Sequence, residues 1–198
     1  MQKILHCSDF DGTLTTADTL LLFIRFAHGT AFFIVGFLLH LPLLVLMKFH
    51  LYSNSKMKQR IFSFFFKGMS EEKFNALCHD FARQHQHLLR RQGIDTLLKA
   101  LERGEEVLIV SASIDRWVSP FFSSHPCLQV IGTQIEVREG RITGRFSSPN
   151  CYGAEKVNRI NATIPNRNHY YIIAYGDSRG DKEMLDYADE RYYRPFQS

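Results

Sequence analysis

The chain has 198 residues, 45% of them hydrophobic, enough to bury one sizeable core with a smaller insertion over it but not a second independent domain of ordinary size. Its formal charge of +4 comes from 24 Lys and Arg against 20 Asp and Glu spread along the chain, not the gathered basic surface that nucleic acid requires. Cys7, Cys78, Cys127 and Cys151 lie far apart, with no C-x-x-C pair and no dense disulfide framework, which suits a reducing cytoplasm.

Residues 3–9, KILHCSD, read as a strand that begins almost at the first residue, so a cleaved signal peptide is not expected. The Asp-rich turn DFDGT follows at once. The next clear strand is Glu106–Ser111, preceded by a helix over Gly93–Leu101 and the helix-ending Gly104. The intervening stretch is too long for a simple crossover and reads as a helical insertion. This divides the chain into a core of residues 1–15 and 90–198 and a cap of residues 16–89. Within the cap, residues 56–89 read as amphipathic helices broken at Gly68–Ser70, with Ser70 as a helix cap.

Ala31–Met47 carries no formal charge, and only His40 and Pro42 interrupt its apolar character. Its length is at the lower margin for a spanning helix, which needs about 20 apolar residues, and Pro42 is expected to kink or end a helix there. Three readings stay open: a buried or self-associating cap helix, a helical hairpin that contacts a membrane, and a true span. Lys48, Lys56, Lys58 and Arg60 beside it suit anionic lipid, and equally a solvated basic face.

Further on, Val130–Arg145 reads as a hairpin-like excursion with a turn at Glu139–Gly140. A helix near Glu155–Asn161 carries Lys156 in its first turn. A third apolar run, Tyr170–Tyr175, leads into GDSRGD and a last helix near Lys182–Ala188. Three apolar strands, each ending in a polar or acidic cluster, fit a Rossmann-like α/β fold with a parallel sheet and reactive groups beyond the carboxyl ends of its strands.

Asp9 and Asp11 stand two apart at the end of the first strand, so extended backbone directs both carboxylates to one side while Phe10 points inward. Such a pair repels itself unless a cation or a shared proton intervenes. A bare D-x-D also serves as a cap or turn, and Ser111, Lys156, Asp177 and Asp181 each have ordinary structural uses at strand ends and helix starts. Their joint order supplies what phosphate-ester cleavage needs: a nucleophile, an acid, donors to the phosphoryl oxygens and ligands for a cation. His6 reads as structural, and His28, His40, His79, His85 and His87 form no metal set.

Together, DFDGTLT, VSAS, the lysine of GAEKV and GDSRGD resemble the four motifs of haloacid-dehalogenase-superfamily phosphatases. The resemblance covers essentially the whole chain. It is strongest to the subgroup, subfamily IB, that includes phosphoserine phosphatases with a helical cap inserted after the first strand. It implies Asp9 as nucleophile through an aspartyl-phosphate, and Asp11 as the acid that protonates the leaving alkoxide and then the base toward water. It further implies Mg2+ held by Asp9, the Asp11 carbonyl and Asp177, with Asp181 orienting a metal-bound water or Lys156. Ser111 and Lys156 would hold phosphoryl oxygens, with Gly12 letting the loop amides approach. Phosphomutases share this logic, and a silent scaffold or lipid-binding protein would retain only the fold.

The resemblance leaves the substrate between small phosphomonoesters such as phosphoserine and a lipid phosphate, as in phosphatidylglycerophosphatases. Asp18 stands where phosphoserine phosphatases use a glutamate for the serine ammonium, although it equally suits a surface cap. Arg60 approximates their carboxylate-binding arginine. Gly12 and Gly180 replace the serine and asparagine usual there. A lipid substrate would associate the chain with the cytoplasmic face of a membrane.

Overall fold

The computed structural model describes residues 2–49 and 51–197. In chain order its elements are β1 (Lys3–Ser8), α1 (Thr19–Lys48), α2 (Asn54–Phe66), α3 (Glu71–Gln84), α4 (Arg91–Glu102), β2 (Glu106–Ile114) and α5 (Asp115–Val118). These are followed by β3 (Leu128–Thr133), β4 (Ile135–Arg138), β5 (Arg141–Phe146), α6 (Ala154–Thr163), β6 (Tyr170–Gly176), α7 (Lys182–Tyr187) and β7 (Glu190–Tyr193). Five strands form a parallel sheet in the order β3-β2-β1-β6-β7.

Both faces of this sheet are covered, which is why its strands are apolar without a break. Alternate residues serve opposite layers. Leu5, Cys7, Leu108, Val110, Ile172 and Ala174 pack against Ile160 of α6 and Met184 and Leu185 of α7. Val107, Ile109 and Tyr175 join Leu97 and Ala100 of α4 in a second cluster. That cluster continues without interruption into the phenylalanines of α1, α2 and α3. The chain runs from β1 to β2 and β3 on one side and later to β6 on the other, so a crevice opens at the carboxyl ends of β1 and β6.

The chain enters and leaves the helical insertion side by side: Thr16 N donates to Leu88 O at 2.9 Å and Arg90 N to Leu14 O at 2.7 Å. Ser70 caps α3 by accepting from Lys73 N, with Glu71 and Glu72 in the first turn, as its sequence predicts. Phe23 of α1 is the hub of the packing. Its ring lies 5.4 Å from Phe66, 5.6 Å from Phe74, 5.3 Å from Phe81 and 5.0 Å from Trp117, which joins all three insertion helices to the start of α5.

Two expectations are corrected. Val130–Ile131 belongs to the main sheet, because β3 pairs in parallel with β2, and the hairpin is only β4 and β5 around Glu139–Gly140. That hairpin sits on α2, where Phe146 N donates to the Gln59 side chain at 3.0 Å. Nor does Pro42 end or break a helix: α1 runs through it, and the interruption falls at Gly29, with φ 79° and ψ 165°. Proline's fixed φ is compatible with a helix and forfeits one hydrogen bond, whereas only glycine takes the Gly29 dihedrals readily.

Ala31–Met47 is interior on one side only, where Phe33, Phe37, Leu43, Leu44 and Met47 pack against the core. Gly36 and His40 are buried, but Ile34, Leu38 and Leu39 are 49%, 61% and 64% exposed. Thr19–Lys48 is, among the described residues, the helix long and apolar enough by length and composition to cross a membrane, and 11% of its most apolar window is buried.

Replacing Phe23 by alanine removes a fully buried ring shared by four aromatic neighbours. A loss of about 3–5 kcal/mol is expected. Urea unfolding with an unchanged m value is the measurement, and a loss below about 1 kcal/mol would contradict Phe23 as the hub.

Candidate active site

Just past β1, Asp9 N donates to Tyr175 O at 2.9 Å, which continues the parallel pairing and fixes the residue at the head of the crevice. Phe10 then turns into the core against Phe121 and Phe122. Its carbonyl accepts from Leu14 N and Thr15 N and closes the loop. The buried Asp9 side chain and the half-buried Asp11 side chain follow on either side.

Lys156, in the first turn of α6, reaches this point from behind the sheet. It is 1% exposed, and its ammonium donates to Asp9 Oδ1, Asp181 Oδ1 and the Val110 carbonyl, each at 2.6 Å. Burial opposes its charge, yet Asp9 and Asp181 hold its pKa above the ordinary value. Burial also pushes the Asp9 carboxyl up, to about 7, with Lys156 pulling against it and Asp181 and Asp11 adding repulsion. For Asp181 burial acts the same way, but Lys156 and the bonds from Ser178 win and hold it below the usual range.

Asp181 is fully engaged. Its second oxygen accepts from Asp177 N at 3.2 Å, Ser178 N at 2.9 Å and Ser178 Oγ at 2.8 Å, so it fixes the loop that presents Asp177. Asp177 is half-buried and accepts from Thr13 Oγ1 at 3.2 Å; the same hydroxyl lies 3.4 Å from Asp9 Oδ2. Ligand atoms of Asp9, Asp177 and Asp181 lie within 4.8 Å of one another. An all-oxygen set of this kind suits a hard divalent cation.

Gly12 has φ +81°, and a Cβ there would stand 2.5 Å from Asp177 Oδ2. Its amide donates to Thr15 Oγ1 at 3.2 Å, and the missing side chain gives room to Asp177. Asp11 accepts from Thr19 N, at the start of α1, at 2.7 Å and from the Ser113 hydroxyl. Burial, then Asp18, raises its pKa. Ser111 is buried and accepts from Ser113 N at 3.0 Å, three residues before the end of a β2 that runs on to Ile114.

These groups share a cavity of about 350 Å³, with Asp9, Asp11, Ser111, Lys156 and Asp177 on the core side. Asp18 lines it too and caps α1 by accepting from Leu20 N at 2.9 Å. Arg60 is exposed and lies outside the cavity lining. The cation that α2 sends into the cavity is Lys58, whose ammonium donates to Ala112 O at 2.7 Å. Lys58 falls on the inward stripe with Ile61 and Phe65, and that helical spacing was the signal available for it. Ser113 stands in the VSAS motif, but its bond to Asp11 joins residues far apart in sequence and had no local signal. His6 is structural as expected, between Tyr175 Oη at 3.0 Å and Glu105 at 2.8 Å.

A model of the haloacid dehalogenase-like hydrolases matches residues 7–186. Protein CicA of Caulobacter vibrioides is 32% identical over 197 residues, covering 98% of this chain and 87% of that protein. A crystal structure of a protein with unknown function from Bordetella pertussis Tohama I aligns with a TM-score of 0.85 at 19% identity, over 96% of this chain and 89% of that one. A phospho-aspartyl intermediate analogue of phosphoserine phosphatase aligns with a TM-score of 0.61 at 20% identity, over 96% and 86%. The chain therefore belongs to the haloacid dehalogenase-like hydrolase family.

Proposed function

We propose that the chain is a magnesium-dependent phosphomonoester hydrolase working through an aspartyl-phosphate. The observation that carries this reading is the meeting of Asp9, Lys156 and Asp177, from three distant segments, in one cavity. An Asp9 oxygen attacks phosphorus as the bond to the leaving alcohol breaks, and Asp11 gives that alkoxide a proton. Water then cleaves the acyl phosphate, yielding its proton to Asp11 and releasing inorganic phosphate. The raised pKa of Asp11 suits the acid role.

Lys156 lowers the repulsion between Asp9 and an incoming dianion, and Ser111 offers its hydroxyl to a phosphoryl oxygen. Mg2+ fits the carboxylate set, with Asp9, the Asp11 carbonyl and Asp177 as the residues that would hold it and Asp181 as support. When bound, it supplies positive charge to the nonbridging oxygens. The phosphoserine phosphatase similar in fold has been captured as an analogue of a phospho-aspartyl intermediate.

Residues 16–89 act as the cap that selects the leaving group over a core of residues 1–15 and 90–198. A small substrate such as phosphoserine would meet Asp18 and Lys58 there, Arg60 being on the outer surface. A second reading, a lipid phosphate such as phosphatidylglycerophosphate, is favoured by the cavity's cap wall, where Phe37, Leu44 and Met47 of α1 stand beside the polar floor. A lipid substrate would bring residues 31–47 to the cytoplasmic face of a membrane. Among the described residues the four cysteines are free.

Purified protein is expected to release phosphate from an aryl phosphate only with Mg2+, and Asp9→Asn to abolish release. No metal-dependent turnover by the parent would leave the silent scaffold, and an isomerised sugar phosphate as product would indicate a mutase. Asp11→Asn is expected to slow alkyl phosphate hydrolysis by about 10²–10⁴-fold, and an aryl phosphate with a good leaving group less. Equal turnover by parent and variant on an alkyl phosphate would remove Asp11 from the mechanism. Gly12→Ala, which drives a Cβ against Asp177, is expected to raise the half-saturating Mg2+ concentration about tenfold or more. An unchanged Mg2+ titration would show that Asp177 tolerates displacement.

A further inference from the structure

Beyond Gly29, α1 carries two apolar stripes. The inner one lies on α2: a Cβ at Gly36 would stand 2.2 Å from the Phe65 ring, and the His40 ring is 5.1 Å from Phe64. The outer one is covered by nothing in the described chain. Leu38, Leu41 and Val45 are 61%, 51% and 46% exposed, and the patch runs on into Phe49 at 68% and Leu51 at 74%. A contiguous apolar surface of this kind marks a contact with something else.

Charge says what that is. From Thr19 to Ser70 the chain has no Asp or Glu, and its ionised side chains are Arg25, Lys48, Lys56, Lys58, Arg60 and Lys67, all but Lys58 exposed. A two-fold contact of this face with a second copy would bring two cationic rims together. An anionic lipid surface meets both the apolar stripe and its rim. The helix cannot cross that surface while it stays on α2, because the exposed Lys56 and Arg60 of α2 would enter hydrocarbon with it.

We propose that residues 30–48 seat in the plane of an anionic bilayer, with Leu38, Leu41 and Val45 among the acyl chains and Lys48, Lys56 and Arg60 at the headgroups. The catalytic cavity opens on the inner side of the same helix, at Phe37, Leu44 and Met47. Docking then holds it at headgroup level. This inference goes beyond the hydrolase reading and does not depend on it.

Flotation of the full chain with phosphatidylcholine vesicles, with and without phosphatidylglycerol, tests it. Parent protein is expected to float with the anionic vesicles, less at high salt, and to be released by alkaline carbonate. The pair Leu38→Glu and Leu41→Glu is expected to cut the bound fraction on the order of tenfold or more, while circular dichroism and thermal midpoint match the parent. Parent protein left at the bottom of the gradient with anionic vesicles would overturn the proposal, and so would carbonate-resistant insertion. A concentration-dependent dimer that the same pair dissolves, with no flotation, would assign the face to a second copy instead. Flotation reads no turnover, so an inactive parent on aryl phosphate would sink the hydrolase reading alone.

Discussion

The buried ammonium of Lys156 is the contact on which the site and much of the sheet's geometry depend. It joins Asp9 just after β1, the Val110 carbonyl within β2 and Asp181 in the loop after β6, so one side chain from α6 ties together three adjacent strands. Removing one partner from a buried ion pair typically costs about 3–5 kcal/mol, because the remaining charge is left without compensation. Here two carboxylates would be left. The same contact thus stabilises the fold and sets the charge around Asp9, the candidate nucleophile.

Around that centre each position has a steric or electrostatic reason. Asp181 spends its other oxygen on the Asp177–Ser178 loop, so the residue that neutralises Lys156 also aims Asp177. Gly12 is constrained by Asp177, and Asp11 by the first amide of α1. The helical insertion is therefore not hung on the core by its linkers alone. Its first helix begins on the acid/base candidate, and Trp117 Nε1 donates to Thr19 Oγ1 at 3.1 Å just behind it.

What was legible in the sequence was local. DFDGT and GDSRGD are turns that follow apolar strands, and their carboxylates converge because parallel strands end on the same side of a sheet. Ser70 as a cap and the break at Gly68–Ser70 likewise needed only neighbouring residues. The strand partners were not legible: Val130–Ile131 joins the main sheet because its pairing with β2 is nonlocal, and a short apolar run carries no mark of its partner. Lys58 shares a stripe with Ile61 and Phe65, so the helical period turns it inward, but that period does not say which cation meets a substrate.

The break at Gly29 divides α1 by task. Residues before it are committed to the interior: Phe23 and Ile24 are fully buried, and Thr19 holds Asp11. Residues after it contribute one stripe to α2 and the cavity wall and leave the other to solvent. In a continuous helix, rotation or bending of the outer half would be transmitted to Thr19 and so to the Asp11 carboxylate. A residue outside helical dihedrals interrupts the hydrogen-bond ladder that would carry that strain. The outer half is therefore free to move while the Asp11 carboxylate stays in register with Asp9, and the wall formed by Phe37, Leu44 and Met47 is where such movement reaches the cavity.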